Sequence, residues 1–169
     1  MSHTTIRPRR FRRLAAGLTV AAGVTATTLL GAAPAHAQTN TVTAVVSGGG
    51  TLVVRGTSNG ETITAENGNG TITVSSSTAI TPQFGCKPAV GGKVICVGVN
   101  FVKLIGLGGA DVLRNNSLTR SELSGGAGND RVIGGSVDDR LFGGTDTDEA
   151  IGNGGFDTCA AETESGCEA

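Results

Sequence analysis

The sequence predicts an all-β protein, and three features of the chain lead to this prediction. Short runs rich in Thr, Val and Ile alternate with glycine-containing turns over residues 41–74. The 3.6-residue periodicity of an amphipathic helix is absent from this region. From Gly125 onward, glycine pairs and aspartates recur every nine residues. A fixed internal period of this kind is typical of a solenoid, in which each unit buries its apolar side against its neighbours.

Residues 1–37 have the three parts of a secretory signal peptide. Five arginines within residues 7–13 precede a mostly apolar stretch at residues 14–30, and residues 35–37 read Ala-His-Ala. Glycines and threonines interrupt the apolar stretch, which argues against the alternative of a membrane anchor. We therefore predict a secreted, extracellular protein with no membrane span after cleavage. The paired arginines leave both the general secretory and the twin-arginine route open.

Removal of this signal would change the charge and the available chemistry. Five of the 13 basic residues and both histidines lie in it, so eight basic residues remain against 14 acidic ones, a net charge of −6. Nucleic acid is therefore not an expected partner. The rest of the chain contains no histidine, tryptophan or tyrosine. It thus lacks the commonest general base and the commonest zinc ligand.

The one catalytic pattern in the chain lies at residues 56–60, which read Gly-Thr-Ser-Asn-Gly and match G-x-S-x-G. A nucleophile elbow needs a strand-to-helix turn and a base for the serine, whereas here another β run follows and no histidine is available. A glycosidase with paired carboxylates would lack Trp and Tyr for stacking a sugar. We therefore predict that the protein is not an enzyme.

Residues 38–104 are predicted to form an N-terminal β-rich region. A second pair of strands is expected to flank residues 88–92, where a disulfide would clamp the hairpin. Exported proteins commonly form disulfides, and the spacing favours two short loops. Three pairings remain possible from sequence alone, and a zinc site is a poorer fit because no C-x-x-C pair occurs. The favoured pairs are Cys86 with Cys96 and Cys159 with Cys167.

Nine-residue frames starting at Gly125 read GGAGNDRVI, GGSVDDRLF, GGTDTDEAI and GNGGFDTCA. The first six residues of a frame suit a tight turn, and the last three suit a short strand whose middle side chain points inward. Two frames would form one coil, so residues two frames apart would lie in register. The sixth place is always aspartate, at Asp130, Asp139, Asp148 and Asp157. The eighth place is always small or apolar, at Val132, Leu141, Ala150 and Cys159.

Stacked coils would place Asp130 against Asp148 and Asp139 against Asp157. Carboxylates about 5 Å apart repel each other unless a cation lies between them, and a set of hard oxygen ligands favours Ca²⁺. A solvated Gly/Asp-rich linker is the alternative, but it has no reason to keep an apolar eighth residue. The predicted metal-site residues are these four aspartates, Asp111 as a weaker candidate, and the turn glycines Gly125, Gly126, Gly128, Gly134 and Gly143.

The frames resemble the RTX, or hemolysin-type, calcium-binding repeat G-G-x-G-x-D-x-U-x. GGAGNDRVI matches it at every defined place, whereas Val137 and Asp146 replace the fourth-place glycine and Asn153 replaces the second. The chain is also similar in layout to small secreted calcium-binding proteins of actinobacteria. The resemblance implies a right-handed parallel β-roll at residues 105–158 with Ca²⁺ between its turns. A disulfide-closed acidic cap is expected at residues 159–169, because open solenoid ends need covering.

Two weaker matches lie upstream of these frames. In GLGGADVLR, the distance from Asp111 to Asp130 is one residue longer than two frames. One inserted residue is therefore expected within residues 115–123. GTSNGETIT is fainter, with Glu61 at the sixth place.

Two functions agree with these observations. The first is a secreted calcium-binding protein with a structural role. The alternative is a calcium-dependent adhesion module for a cell surface, matrix or polysaccharide, whose partner the sequence does not identify. Ile133 and Ile151 occupy ninth places two frames apart and are expected to face outward, either as scattered surface residues or as a docking stripe.

Overall fold

The computed structural model describes residues 40–168, and the predicted signal peptide lies outside the described residues. Within this range the chain forms fifteen β-strands and one short 3-10 turn, so the protein is all-β as predicted. No helix among the described residues is long and apolar enough to cross a membrane.

The first four strands coincide with the predicted Thr-, Val- and Ile-rich runs, and two further strands flank residues 88–92 as expected, whereas the strand at Ile80–Pro82 was not predicted. Burial alternates along the first four, because successive side chains of a strand point to opposite faces. The strands of this region are β1 (Val42–Val46), β2 (Thr51–Arg55), β3 (Thr62–Asn67), β4 (Thr71–Ser76), β5 (Ile80–Pro82), β6 (Cys86–Pro88) and β7 (Val94–Val97), with the 3-10 turn at Val90–Gly92.

The later strands include the nine-residue frames and are separated by glycine-rich turns. Those that follow the sixth-place aspartates at 130, 148 and 157 are only three residues long. These strands are β8 (Phe101–Gly108), β9 (Val112–Asn116), β10 (Ser121–Ala127), β11 (Arg131–Ile133), β12 (Asp139–Thr145), β13 (Glu149–Ile151), β14 (Thr158–Ala160) and β15 (Thr163–Ser165).

The strands form two mixed sheets. Sheet A has the order β14-β12-β10-β8-β2-β1-β5, and sheet B has the order β15-β13-β11-β9-β3-β4-β7-β6. In sheet A the strands from β2 to β14 pair in parallel, and β1 pairs antiparallel with β2. In sheet B the strands from β3 to β15 pair in parallel, and β4, β7 and β6 form an antiparallel meander beside β3.

The register of the parallel pairs follows the sequence period. Ser121 of β10 lies beside Asp139 of β12, an offset of two frames. One layer earlier, Val102 lies beside Ser121 and Val112 lies beside Arg131, and these offsets are one residue longer. The extra residue therefore falls between Val112 and Ser121, in the connection from β9 to β10. This confirms the predicted position of the insertion.

Asn115 holds this longer connection together. Its side-chain Nδ2 donates to the carbonyl of Thr119 at 2.8 Å, and its Oδ1 accepts from the backbone N–H and the hydroxyl of Ser117. Asn115 is fully buried. A buried amide is tolerated here because the backbone and hydroxyl of the turn satisfy its polar atoms.

The inward side chains of both sheets form one core. Strand β8 crosses the predicted boundary at residue 104, and its Leu104 packs in the same core as residues from both sides of that boundary. Each buried Val, Leu or Ile contributes roughly 1.5–3 kcal/mol relative to exposure. The four eighth-place residues also lie in this core, as predicted: Val132, Leu141, Ala150 and Cys159.

Both favoured disulfides are present. Cys86 of β6 is bonded to Cys96 of β7, directly opposite in the register. Cys159 of β14 is bonded to Cys167, which brings the acidic tail back along the last strands. The described residues contain no free cysteine. The predicted pairing is therefore confirmed, and both bonds fit an extracellular protein.

The expectation of an outward stripe of isoleucines is wrong at Ile133. Ile133 is only 5% exposed, so it is buried rather than a surface residue. Its strand is flanked on both sides, with Arg114 and Ile151 beside it in the register. Ile151 is half-buried and lies beside Ser165 of the edge strand β15. The long side chain of Arg114 beside Ile133, against the small Ser165 beside Ile151, accounts for the difference.

Candidate functional site

Polar side chains of successive turns stack into two columns where the chain enters the strands of sheets B and A. All five aspartates in these columns are at most 3% exposed. The first column consists of Glu61, Asp111, Asp130, Asp148 and Glu162. The second column consists of Ser121, Asp139, Asp157 and Glu168.

Within the first column, each carboxylate accepts a hydrogen bond from the backbone N–H of the member before it. Asp111 Oδ1 lies 2.7 Å from the nitrogen of Glu61, and Asp130 Oδ1 lies 2.7 Å from that of Asp111. Asp148 Oδ1 lies 2.8 Å from the nitrogen of Asp130. Glu162 Oε2 ends the column on the nitrogen of Asp148, at 2.8 Å. The structure thus places Asp130 and Asp148 in adjacent layers and adds Asp111 to the same column.

The second column repeats this arrangement on the other edge. Asp139 Oδ1 accepts from both the backbone N–H and the hydroxyl of Ser121, each at 2.7 Å. Asp157 Oδ1 accepts from the nitrogen of Asp139 at 2.7 Å, and Glu168 Oε2 accepts from that of Asp157 at 2.7 Å. Asp139 and Asp157 are therefore brought together as the period implied.

Three column members were missed from the sequence. Ser121 carries a weak signal, since it precedes Asp139 by two frames. Glu162 and Glu168 follow Asp148 and Asp157 by only 14 and 11 residues, so no periodic search would find them. Their positions depend on the path of the tail after the repeat ends.

The first-place glycine of each frame is required by the aspartate five residues later. A Cβ atom at Gly125 would collide with the carboxyl group of Asp130, and one at Gly143 would collide with that of Asp148. Neither glycine has a positive φ. The glycine–aspartate spacing of the repeat is therefore a packing requirement, because the carboxylate occupies the space of the missing side chain.

The second and fourth places of the frames favour glycine for a different reason, which is a positive φ. Gly126 and Gly128 have φ angles of 122° and 117°. In a later frame Gly144 and Asp146 have φ angles of 128° and 86°. Glycine adopts this region freely, and aspartate is among the residues that tolerate it best. Replacement of the fourth glycine by Asp146 therefore preserves the turn.

The frame that begins at Gly134 has a different turn. Neither Gly135 nor Val137 has a positive φ, so the valine avoids the strain that its place in the frame implied. The backbone N–H of Gly135 donates instead to Asp139 Oδ2 at 2.6 Å. Both oxygens of Asp139 are thereby used within the protein.

The other four aspartates each keep one buried oxygen without a hydrogen-bond partner among the described residues. A buried polar atom left unpaired costs about 1–3 kcal/mol, and more when it is charged. Such an oxygen needs a proton or a cation. The atoms are the Oδ2 oxygens of Asp111, Asp130, Asp148 and Asp157.

The electrostatics of the columns oppose ionisation. Burial raises the pKa of Asp111 to about 7, against the lowering effect of the Glu61 N–H, while the charges of Asp130 and Glu61 raise it further. Burial likewise raises the pKa of Asp130 and of Asp157, and in each case a column neighbour adds repulsion. A positive ion beside these carboxylates would offset both effects.

The ligands available along the columns fit a hard cation. The column side chains offer oxygen only, and backbone carbonyls of neighbouring layers pack close by, since a Cβ at Gly106 would meet both the Asp111 carboxyl group and the carbonyl of Gly125. No group of three or more His, Cys, Asp or Glu side chains that could hold an ion occurs among residues 40–168. An ion would therefore need carbonyl and water oxygens to complete its shell. Of the predicted glycines, Gly128 and Gly134 lie between strands, whereas Gly125, Gly126 and Gly143 lie within β10 and β12. In these frames the turn is therefore shorter than the six residues predicted.

Comparison with known proteins gives no match to any family model, curated protein or solved structure. The class of the protein is defined by its own fold and site: an all-β protein whose two mixed sheets are bordered by columns of buried carboxylates.

Proposed function

We propose that the protein is a secreted calcium-binding protein with a structural role, in which Ca²⁺ binds between stacked turns. The observation that carries this proposal is the set of four buried aspartate oxygens that lack a partner among the described residues. Calcium would supply the positive charge that these oxygens need, and oxygen ligands are the ones it prefers. The resemblance of GGAGNDRVI to the RTX repeat points to the same ion.

The residues that would hold Ca²⁺ lie mainly in the first column. There Asp111, Asp130 and Asp148 use Oδ1 for the backbone of the preceding layer and leave Oδ2 for an ion. In the second column only Asp157 leaves an oxygen among the described residues, because Asp139 is already satisfied. We therefore expect tighter binding at the first column.

The parallel parts of the two sheets support a right-handed β-roll as the architecture of the repeats. Each layer gives one strand to sheet A and one to sheet B, and adjacent layers of the repeat are offset by two frames in both sheets. The Cys159–Cys167 bond and strand β15 then cover the last layer as the proposed cap.

Charge explains why the ion would matter for folding. Residues 130–168 carry ten acidic and two basic side chains, a net charge of −8 that opposes a compact state. A ligand that binds the folded state alone, at 100 times its dissociation constant, adds about 2.7 kcal/mol of stability. Calcium from an extracellular medium would thus favour folding after export.

Calorimetric titration of the chelator-treated protein with CaCl₂, followed by far-UV circular dichroism, tests the proposal. We expect binding heat and a gain of β signal. Asp130→Asn and Asp148→Asn should each weaken the same binding event. Asp138→Asn is the matched control, because Asp138 lies outside the columns and is paired with Arg120. Absence of heat in the unmutated protein, or equal loss in the control, contradicts the proposal.

A further inference from the structure

A groove of about 350 Å³ runs beside the second column, outside the proposed calcium ligands of the first. Three of its lining residues, Arg120, Asp138 and Phe156, directly precede members of the second column and follow one another at intervals of two frames. Neighbouring strands of a sheet lie about 4.8 Å apart, so the groove extends across several strands. Its volume is within the range of small-ligand sites.

Asp138 connects two other lining residues of this groove, Arg120 and Phe156. Its Oδ2 is ion-paired with Arg120 Nη2, and its Oδ1 accepts from the backbone N–H of Phe156 at 3.1 Å. The Phe156 N–H, followed by the Arg120 charge, holds the pKa of Asp138 below its usual value, so its carboxylate stays ionised. The backbone of Phe156 is thereby anchored while its side chain remains 63% exposed. An exposed aromatic ring on an anchored backbone offers a contact surface to a ligand.

Arg140 supplies an unpaired positive charge in the same groove. The carboxylate beside it in the register, Glu122, is already ion-paired with Lys103 at 2.5 Å. The two carboxylates of the lining, Asp138 and Asp139, are held by bonds within the protein. Among the described residues no carboxylate lies within ion-pair distance of Arg140. Its guanidinium therefore has its planar set of donors available for an external acid.

We propose that this groove binds an acidic oligosaccharide of the uronate class. The sugar carboxylate would pair with Arg140, and the apolar faces of the rings would lie against Phe156 and Phe101. A uronate combines a carboxylate with a ring that has an apolar face, which matches a free guanidinium and two phenyl groups that line one groove. The inference goes beyond calcium binding, because none of these three side chains belongs to a column.

Titration of the ¹⁵N-labelled protein with trigalacturonate, monitored by NMR, tests this inference. The fully methyl-esterified trisaccharide serves as the neutral probe. We expect chemical-shift changes centred on Phe101, Arg140 and Phe156 with the acid and at least tenfold weaker binding of the ester. Arg140→Ala and Phe156→Ala should each weaken binding of the acid at least tenfold.

Two matched variants control for the loss of an exposed side chain. Arg55→Ala removes another exposed arginine of sheet A, one that forms no ion pair within the described residues, and Phe84→Ala removes a phenylalanine that is 82% exposed. Both should bind trigalacturonate normally. Equal binding of acid and ester, unchanged affinity in Arg140→Ala, or shift changes remote from the groove would each overturn the inference.

Discussion

At the scale of single residues, the repeat encodes two separate requirements. The first-place glycine makes room for a carboxyl group, and the second- and fourth-place residues adopt a positive φ. The sequence period identifies the aspartates and the inward apolar residues, because both recur with the layers. It does not distinguish the two reasons for glycine, since one comes from packing and the other from the backbone conformation.

The packing requirement predicts that Gly125→Ala destabilises the protein by about 1–3 kcal/mol, the range for forcing extra atoms into a packed site. The new methyl group would displace the carboxyl group of Asp130. Gly48→Ala is the control, because nothing lies within 4 Å of a Cβ there and its φ is not positive. Urea unfolding followed by circular dichroism measures both. Equal midpoints for the two variants would contradict the packing explanation.

The backbone requirement predicts opposite effects for two glycine substitutions at fourth places. Asp146→Gly should stabilise the protein by at most about 0.5 kcal/mol, since relief of a φ of 86° and loss of a negative charge near Asp130 outweigh the lost exposed hydrogen bond from the Gly128 N–H. Val137→Gly should destabilise it by about 0.5–1 kcal/mol, because Val137 has no strain to relieve and glycine adds chain entropy. Thermal unfolding of both variants gives the comparison. A stabilising Val137→Gly would show that the frame starting at Gly134 has the ordinary repeat turn.

At the scale of strands, the sequence predicts where strands lie better than it predicts which strands pair. The runs from β1 to β4 are visible as Thr- and Val-rich segments between glycine turns. The parallel pairing of β2 with β8 is not visible, because β3 to β7 lie between these two strands in the chain. Only Glu61, placed in the first column before Asp111, marks that layer in the sequence. The residues that end the columns cannot be read from the sequence period either, since the path of the tail is fixed by a disulfide rather than by the period.

The C-terminal disulfide is predicted to protect the last layers locally. Replacing Cys159 and Cys167 by Ala should cost about 2–3 kcal/mol from loop entropy. It should also speed amide hydrogen exchange in β13 and β14, since the tail pairs with β13 and Glu168 bonds to Asp157. The Cys86→Ala and Cys96→Ala double variant opens a loop of similar length and serves as the control. Its exchange should rise in β6 and β7 instead, and the same pattern in both variants would contradict a local cap.

At the scale of the whole molecule, charge is divided unevenly along one continuous core. Residues 40–104 carry four basic and two acidic side chains, whereas residues 105–169 carry four basic and twelve acidic ones. The buried carboxylates of both columns, apart from Glu61, lie in the acidic part. Stability should therefore depend on pH and on cations mainly through this part of the molecule.

In calcium-free buffer, we expect the free energy of unfolding to fall as pH rises from about 4 to about 7. Burial raises the pKa of Asp111 to about 7 and also raises that of Asp130 and Asp157. The unfolded chain releases these protons near pH 4, so the folded state binds more protons throughout this window and loses stability as they leave.

Urea unfolding at half-unit steps of pH measures the slope. Asp111→Asn should flatten its upper part, because the amide does not ionise, whereas Asp138→Asn, at a half-buried residue outside the columns, should leave that part unchanged. Saturating CaCl₂ should remove most of the fall in the unmutated protein, since a bound cation stabilises the ionised carboxylates. Stability that rises through this window without calcium would show that the columns are already satisfied by the protein alone.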